Sequence, residues 1–130
     1  MKSIATLFLM VALSTACSAN AKPLTANDTD TGRMIELRVG QRLLLNLGSN
    51  PTTGFSWVFD GKSNRILAQE DKPIYQADDK GKGLVGSGGI EHWTFRAIKK
   101  GTQTLRLDYR RPWEQVDEPA NRVEFPVIVK

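Results

Sequence analysis

Short runs in which every second residue is apolar dominate this chain, and glycine or proline separates many of them. The clearest runs are 43–47, 55–59, 93–97, 105–109 and 123–129. Because successive side chains of a β-strand point to opposite faces, each run predicts a strand with one face in a hydrophobic core. No stretch has the spacing of a convincing amphipathic helix. The pattern predicts an all-β fold, an immunoglobulin-like antiparallel β-sandwich of about seven or eight strands.

A single domain is expected to fill most of the 130 residues. We place it at 33–130, because the alternation begins just after residue 33. The preceding segment, 22–32, is polar and built of small residues, which is typical of a flexible tether. Two stretches inside the domain are ambiguous. Residues 63–69 could form a helical turn, and 73–76 predicts a short edge strand because it contains a proline.

The first 21 residues resemble a bacterial export signal. Lys2 provides a positive start, an apolar run follows at 4–13, and small residues come next. The run is too short to cross a bilayer, which takes about 20 apolar residues. We therefore expect an exported protein that is periplasmic, secreted or anchored to a membrane by lipid.

Two processing sites are compatible with this signal. The A-N-A sequence at 19–21 fits cleavage after Ala21, which would remove residues 1–21. Alternatively, the small residues before Cys17 resemble a lipobox, so that removal of residues 1–16 would leave a lipidated Cys17. Ser14 stands where a lipobox usually has an aliphatic residue. The sequence leaves both sites open.

The composition argues against several kinds of chemistry. Cys17 is the only cysteine, so the domain has no disulfide framework, no cysteine-based zinc site and no cysteine nucleophile. The net charge of +4 is small, and its lysines and arginines are scattered, which argues against nucleic acid as a partner. His92 is the only histidine and no nucleophile motif accompanies it, so we expect no enzyme.

Metal ions and cofactors are not expected either. One histidine without a cysteine makes a poor transition-metal site. Asp28 and Asp30 resemble the start of a calcium-binding loop, but the twelfth position of such a loop is Val39 instead of a glutamate.

Three loops between the predicted strands have an unusual composition. The first combines an Asn-Pro turn, two threonines and a glycine suited to positive φ. The second is rich in glycine, which lets a backbone approach a partner closely, and carries two aliphatic residues. The third places a tryptophan beside a proline and an arginine, and tryptophan and arginine dominate binding hot spots. The candidate binding residues are Asn50, Pro51, Thr52, Thr53 and Gly54 in the first loop, Leu84, Val85, Gly86, Gly88 and Gly89 in the second, and Arg111, Pro112 and Trp113 in the third.

Each loop alone also has an ordinary interpretation, as a turn, a flexible linker or a tryptophan that caps the edge of the sandwich. Together, N-P-T-T-G at 50–54, G-S-G-G at 86–89 and R-P-W at 111–113 resemble the chagasin family of cysteine-peptidase inhibitors. The resemblance covers residues 33–130. Phe55 follows the first motif where many relatives have tyrosine, which should be neutral.

The resemblance implies an immunoglobulin-like sandwich whose three loops form a wedge. Such a protein inhibits papain-like cysteine peptidases reversibly and competitively by inserting the wedge into the active-site cleft. By the resemblance, the two threonines of the first loop lie against the catalytic cysteine and histidine, and Leu84 and Val85 lie along the substrate cleft. Trp113 packs on an aromatic surface of the enzyme, with Arg111 making polar contacts beside it. The target could be an endogenous, host or predator enzyme, and the inhibitor is expected to be a monomer.

A second class of function fits the same predicted fold. An envelope adhesion or carbohydrate-binding module would also use exposed aromatic side chains and a lipid anchor. It predicts binding to a glycan or an envelope component and no effect on cysteine peptidases. A small hydrolase would instead show turnover that depends on His92.

Overall fold

Two four-stranded sheets enclose a common core in the computed structural model of this protein, which describes residues 21–61, 65–78, 88–115 and 117–130. The predicted all-β sandwich is confirmed. No helix of the described residues is long and apolar enough to cross a membrane. Residues 1–20 of the predicted export signal, including Cys17, lie outside the described residues, as do Leu84, Val85 and Gly86 of the second loop.

Eight strands and two short 3₁₀ helices make up the regular structure of the described residues. The strands are β1 (Leu24–Asn27), β2 (Ile35–Leu37), β3 (Arg42–Ser49), β4 (Ser56–Phe59), β5 (Leu67–Ala77), β6 (Gly89–Ala97), β7 (Gly101–Arg110) and β8 (Asn121–Val129). The 3₁₀ helices are Asp28–Asp30 and Pro51–Thr53. One sheet has the order β1-β3-β6-β5 and the other β2-β8-β7-β4, so consecutive strands often lie in different sheets.

Both N-terminal strands pair in parallel, which differs from the wholly antiparallel sandwich that the sequence predicted. β1 runs parallel to β3, with Leu24 opposite Leu43. β2 runs parallel to β8, with Ile35 opposite Val127. The chain leaves β1, forms β2 in the other sheet and returns as β3, so that β1 and β3 point the same way. Parallel neighbours require such a crossover, whereas antiparallel ones need only a tight turn.

The inner faces of both sheets are mostly apolar, as the alternation predicted. Leu43, Leu45 and Leu47 of β3 are fully buried. Phe59 from one sheet meets Phe95 from the other edge to face, with ring centroids 5.0 Å apart, which is a favourable geometry for aromatic pairs. A slip of one residue would turn each buried face towards solvent, so the registers of β3, β6, β7 and β8 are firmly specified.

Strand β5 is longer than the sequence predicted. Residues 67–69, where a helical turn was considered, and the short strand predicted at 73–76 both belong to one strand that starts at Leu67. Residues 63 and 64 of the first stretch lie outside the described residues. The ladder between β5 and β6 is interrupted between Glu70 and Ile74, and Asp71 there has a φ of 58°. Because β5 is an edge strand and is bulged at this point, it accommodates Pro73 without losing a hydrogen bond of the sheet interior.

The predicted flexible tether contains a strand of the sandwich. Within 22–32, β1 pairs along its whole length with β3, and Ala26 is fully buried. The Asp28 carboxylate then accepts a hydrogen bond from the backbone nitrogen of Gly48 at 3.2 Å. Only one side chain of β1 is fully buried, so the segment's composition is polar although its backbone is held in the sheet. The sandwich therefore includes a strand that precedes residue 33.

Introducing a carboxylate into β1 tests this assignment. Ala26→Asp should lower the free energy of unfolding by at least about 3 kcal/mol, because it buries an unpaired charge. Thr25→Asp is the matched control, since Thr25 is exposed in the same strand. Urea denaturation of both variants measures the difference. Equal stabilities would mean that β1 is not part of the folded domain.

Candidate functional site

The first loop is a compact turn that is closed by its own hydrogen bonds. Its residues 51–53 form a 3₁₀ helix between β3 and β4. The Thr52 hydroxyl donates to Asn50 Oδ1 at 2.6 Å, and the Thr53 hydroxyl donates to the Asn50 carbonyl oxygen at 2.7 Å. The Gly54 nitrogen donates to the Pro51 carbonyl at 3.0 Å, and its φ of 81° lies in the left-handed region that favours glycine. Both threonines are exposed at the tip of this fixed turn.

The third loop is shaped by the arginine that precedes it. Arg110 Nη1 donates to the carbonyl oxygens of Pro112 at 3.2 Å and Glu114 at 3.1 Å. The Glu114 nitrogen donates to the Arg111 carbonyl at 3.0 Å, which closes a turn around Pro112 and Trp113. An ion pair between Arg111 and Glu114, at 3.3 Å, lies on the surface and stabilises the turn only weakly. Hydrogen bonds to backbone carbonyl oxygens, mostly from the Arg110 side chain, therefore set most of the loop's shape.

Strand register brings the first and third loops together. Ser56, the first residue of β4, lies opposite Arg110, the last residue of β7. The loops that adjoin these two residues must therefore emerge side by side.

Arg111 and Trp113 fill the space between the two loops. The Arg111 guanidinium donates from Nε to the Thr53 carbonyl at 3.3 Å, and its Cζ lies 4.7 Å from the centre of the Phe55 ring, a cation–π geometry. Trp113 packs with one edge over Gly54, since a Cβ at Gly54 would come within 2.7 Å of Trp113 Cη2. Trp113 is nevertheless 70% exposed. The two loops form one surface with a tryptophan presented to solvent.

The described end of the second loop lies against the same end of the sandwich. Gly89 pairs with Ser49, the last residue of β3, just before the first loop. A Cβ at Gly88 would lie 2.9 Å from the Ser49 carbonyl oxygen, so this position has no room for a side chain. The Asp78 nitrogen donates to the Gly88 carbonyl at 3.1 Å across the base of the loop. Gly88 and Gly89 thus let neighbouring strands of this chain approach each other closely. This structural role is separate from the contact with a partner that the sequence predicted.

A cluster of buried and half-buried groups lies directly beneath the first loop, the third loop and the described end of the second loop. Tyr109 accepts a hydrogen bond from the Asn50 nitrogen at 2.9 Å, and its ring centroid lies 5.1 Å from that of Trp57. Glu91, on β6, is 7% exposed and faces the interior. Tyr109, Trp57 and Glu91 were not among the residues predicted for the site. The signal available in the sequence was the alternation in β6, which places the carboxylate of Glu91 on the same face as Trp93.

His92 and the pair Asp108 and Arg122, which lie outside the loops, make structural contacts between strands. His92 lies on the outer side of β6, with Nδ1 2.7 Å from Asn46 Oδ1 and Nε2 3.1 Å from Gln76 Oε1. Its two ring nitrogens therefore bridge β3 and β5. On the other sheet, a hydrogen bond with Asp108 raises the pKa of Arg122. Arginine is protonated at any physiological pH, so this pair joins β7 to β8 and has no acid–base role.

The aspartates that resemble the start of a calcium loop are also engaged by the backbone. Asp28 Oδ2 accepts a hydrogen bond from the Gly48 nitrogen, and Asp30 Oδ2 accepts one from the Asn27 nitrogen at 2.9 Å. Among residues 21–61, 65–78, 88–115 and 117–130, no group of three or more His, Cys, Asp or Glu side chains could hold a metal ion.

Comparison with known proteins identifies relatives of this chain. The family described as "Chagasin family peptidase inhibitor I42" matches residues 36–129. Chagasin from Trypanosoma cruzi is 33% identical over 103 residues, which are 76% of this chain and 89% of chagasin. The cysteine protease inhibitor EhICP2 from Entamoeba histolytica has a similar crystal structure, with a TM-score of 0.71 at 22% identity over 84% of this chain and 96% of that one. PbICP-C, solved in complex with falcipain-2, has a TM-score of 0.52 at 20% identity over 84% of this chain and 99% of that one.

Gly54→Ala tests the contact between the first and third loops. The new Cβ should push the Trp113 ring away and shift its indole NMR signal. The matched control is Gly40→Ala, because Gly40 has a φ of 89° but open space around its Cβ position. Both variants should lose about 1 kcal/mol of unfolding free energy to backbone strain, measured by urea denaturation. An unchanged Trp113 indole signal in Gly54→Ala would contradict the contact.

Proposed function

Because this chain belongs to the chagasin family of peptidase inhibitors, we propose that it inhibits papain-like cysteine peptidases reversibly and competitively. The main support for this proposal is that the first and third loops contact each other. Together they present Thr52, Thr53 and an exposed Trp113 at one end of the sandwich. Family membership favours an inhibitor over an enzyme, and it also favours an inhibitor over an adhesion or carbohydrate-binding module.

The first loop enters the active-site cleft and blocks the catalytic residues. Its internal hydrogen bonds fix the turn before binding, so little conformational entropy is lost when the complex forms. The same bonds protect the loop from cleavage, because a peptide bond held in a tight 3₁₀ turn does not reach the geometry that attack requires. Both threonine hydroxyls already donate to Asn50, and no reactive group is offered to the enzyme, so inhibition is reversible.

The third loop anchors the complex beside the cleft. Trp113 exposes most of its ring but is held at one edge by Gly54, so it is available for burial without first becoming ordered. Tryptophan in such a position is the residue type most enriched in hot spots. Arg111 contacts Thr53, Phe55 and Glu114 within the inhibitor. We therefore propose that Arg111 keeps the two loops in place and also makes polar contacts with the enzyme.

The second loop completes the wedge. Its aliphatic residues Leu84 and Val85, with Gly86, lie along the substrate cleft in this proposal. Gly88 and Gly89 hold the end of the loop next to Ser49, at the start of the first loop. Three loops with a common base can bury the roughly 1,600 Å² that is usual for inhibitor complexes.

Titration of papain with the protein that starts at residue 22 tests the inhibitor function directly. We expect stoichiometric loss of activity towards a fluorogenic peptide, with activity recovered on dilution and the apparent affinity reduced by added substrate. A folded protein that leaves papain and a cathepsin-L-like enzyme fully active at micromolar concentration would contradict the proposal.

Trp113→Ala should weaken inhibition by at least about 2 kcal/mol, which is roughly 30-fold in the inhibition constant. Ile98→Ala is the control, because Ile98 is also exposed, at 51%, but follows the opposite end of β6. Progress curves with papain give both constants. If the two variants inhibit equally well, Trp113 is not an anchor of the complex.

Export of the protein is part of the proposal. The apolar run at 4–13 directs the chain out of the cytoplasm, and processing occurs either after Ala21 or at Cys17. Leu9→Arg, which interrupts the run, should leave a full-length protein in the cytoplasm. The intact mass of the wild-type protein then distinguishes a chain that begins at Lys22 from one that carries acyl groups on Cys17. Unprocessed wild-type protein in the cytoplasm would contradict export.

A further inference from the structure

We propose that Glu91 is a positioning residue for the wedge, and that its carboxylate fixes the common base from which the three loops emerge. The proposal rests on the inhibitor function above, because positioning is defined by its effect on binding. Glu91 itself is buried and would not touch the peptidase.

Glu91 joins the two sheets at the end of the sandwich that carries the loops. One carboxylate oxygen, Oε1, accepts a hydrogen bond from Trp93 Nε1 at 3.1 Å within β6. The other, Oε2, accepts one from the backbone nitrogen of Trp57 at 3.3 Å. Because β6 and β4 belong to different sheets, the second bond crosses the core and holds the strand that follows the first loop.

Trp57 connects Glu91 to both sides of the first loop. Its indole Nε1 donates to the carbonyl oxygen of Gly48 at 2.9 Å, two residues before Asn50. Its backbone nitrogen is held by Glu91, three residues after Gly54. A single tryptophan therefore links the start and the end of the loop, and Glu91 fixes the height at which that tryptophan sits between the sheets.

The other two loops have their bases in the same cluster. Glu91 lies two residues after Gly89, where the second loop ends. Tyr109 lies two residues before Arg111, packs on Trp57 and accepts a hydrogen bond from Asn50. Displacement of Trp57 would thus shift the base of all three loops.

The chemistry of the site explains why a carboxylate is needed. Two donors, one backbone and one indole, point at Glu91, and an ionised carboxylate is an acceptor at both oxygens. A glutamine would offer one acceptor oxygen and an NH₂ group that faces a donor. Burying a carboxylate is unfavourable for folding, but leaving the Trp57 and Trp93 donors without an acceptor is unfavourable as well. A positioning role is therefore defined by its effect on binding, compared with that of a variant that only lowers stability. Ser49 and Glu91 are the only polar or charged side chains that are buried among the described residues.

Three variants, compared at a temperature where all are folded, separate positioning from stability. We expect Glu91→Ala to raise the inhibition constant for papain by about tenfold, because the loops must then be ordered on binding. Glu91→Gln, which keeps one acceptor, should fall between Glu91→Ala and the wild type. Val127→Ala is the control, since it creates a cavity in the core where β8 pairs with the far end of β7 and should leave the constant within about twofold.

Amide and indole hydrogen exchange provides a readout that does not depend on inhibition. Glu91→Ala should speed exchange at the Trp57 amide and the Trp93 indole, and at the Asn50 amide in the first loop, whereas Val127→Ala should not. Equal inhibition by Glu91→Ala and wild type, or equal weakening by Glu91→Ala and Val127→Ala, would overturn the positioning role. A wild-type protein that does not inhibit papain would contradict the inhibitor function. Unchanged hydrogen exchange in Glu91→Ala would separately refute the link between Glu91 and the loops, whatever the inhibition result.

Discussion

Two strand registers determine where the loops of this protein meet. Ser49 at the end of β3 lies opposite Gly89 at the start of β6, and Ser56 at the start of β4 lies opposite Arg110 at the end of β7. The first loop crosses from one sheet to the other between these two points. It therefore has the second loop beside its start and the third loop beside its end. Each register is held by a buried inner face, so the positions of these loop ends follow from core packing.

The sequence predicted the strands best where one whole face is buried. In β3, β6, β7 and β8 the apolar positions alternate over several residues, and the structure follows that pattern. β1 was missed because it buries only Ala26 fully and owes its place to backbone pairing with β3, which leaves little mark on composition. β5 was read as two pieces because an exposed edge strand with a bulge has almost no alternation along its second half.

Motif residues were easier to predict than the contacts among them. The first and third loops were identified from their composition, but Arg111 contacts Thr53 and Phe55, more than fifty positions earlier in the chain. Such contacts depend on register between distant strands, which single-sequence reasoning does not specify. The contacts of Glu91 were likewise not predictable from the sequence. Alternation placed it inside, but only the three-dimensional arrangement shows that it accepts hydrogen bonds from Trp57 and Trp93 together.

The irregular outer strand β5 has a consequence for the behaviour of the protein at high concentration. Its outer edge is interrupted where Asp71 adopts a left-handed backbone, and Lys72 and Pro73 follow at once. A second chain cannot extend a sheet past such a break, because a proline offers no donor and a lysine would have to be desolvated. An inhibitor that acts one to one must accumulate to the level of its target. The blunted edge of β5 disfavours polymerisation through this strand.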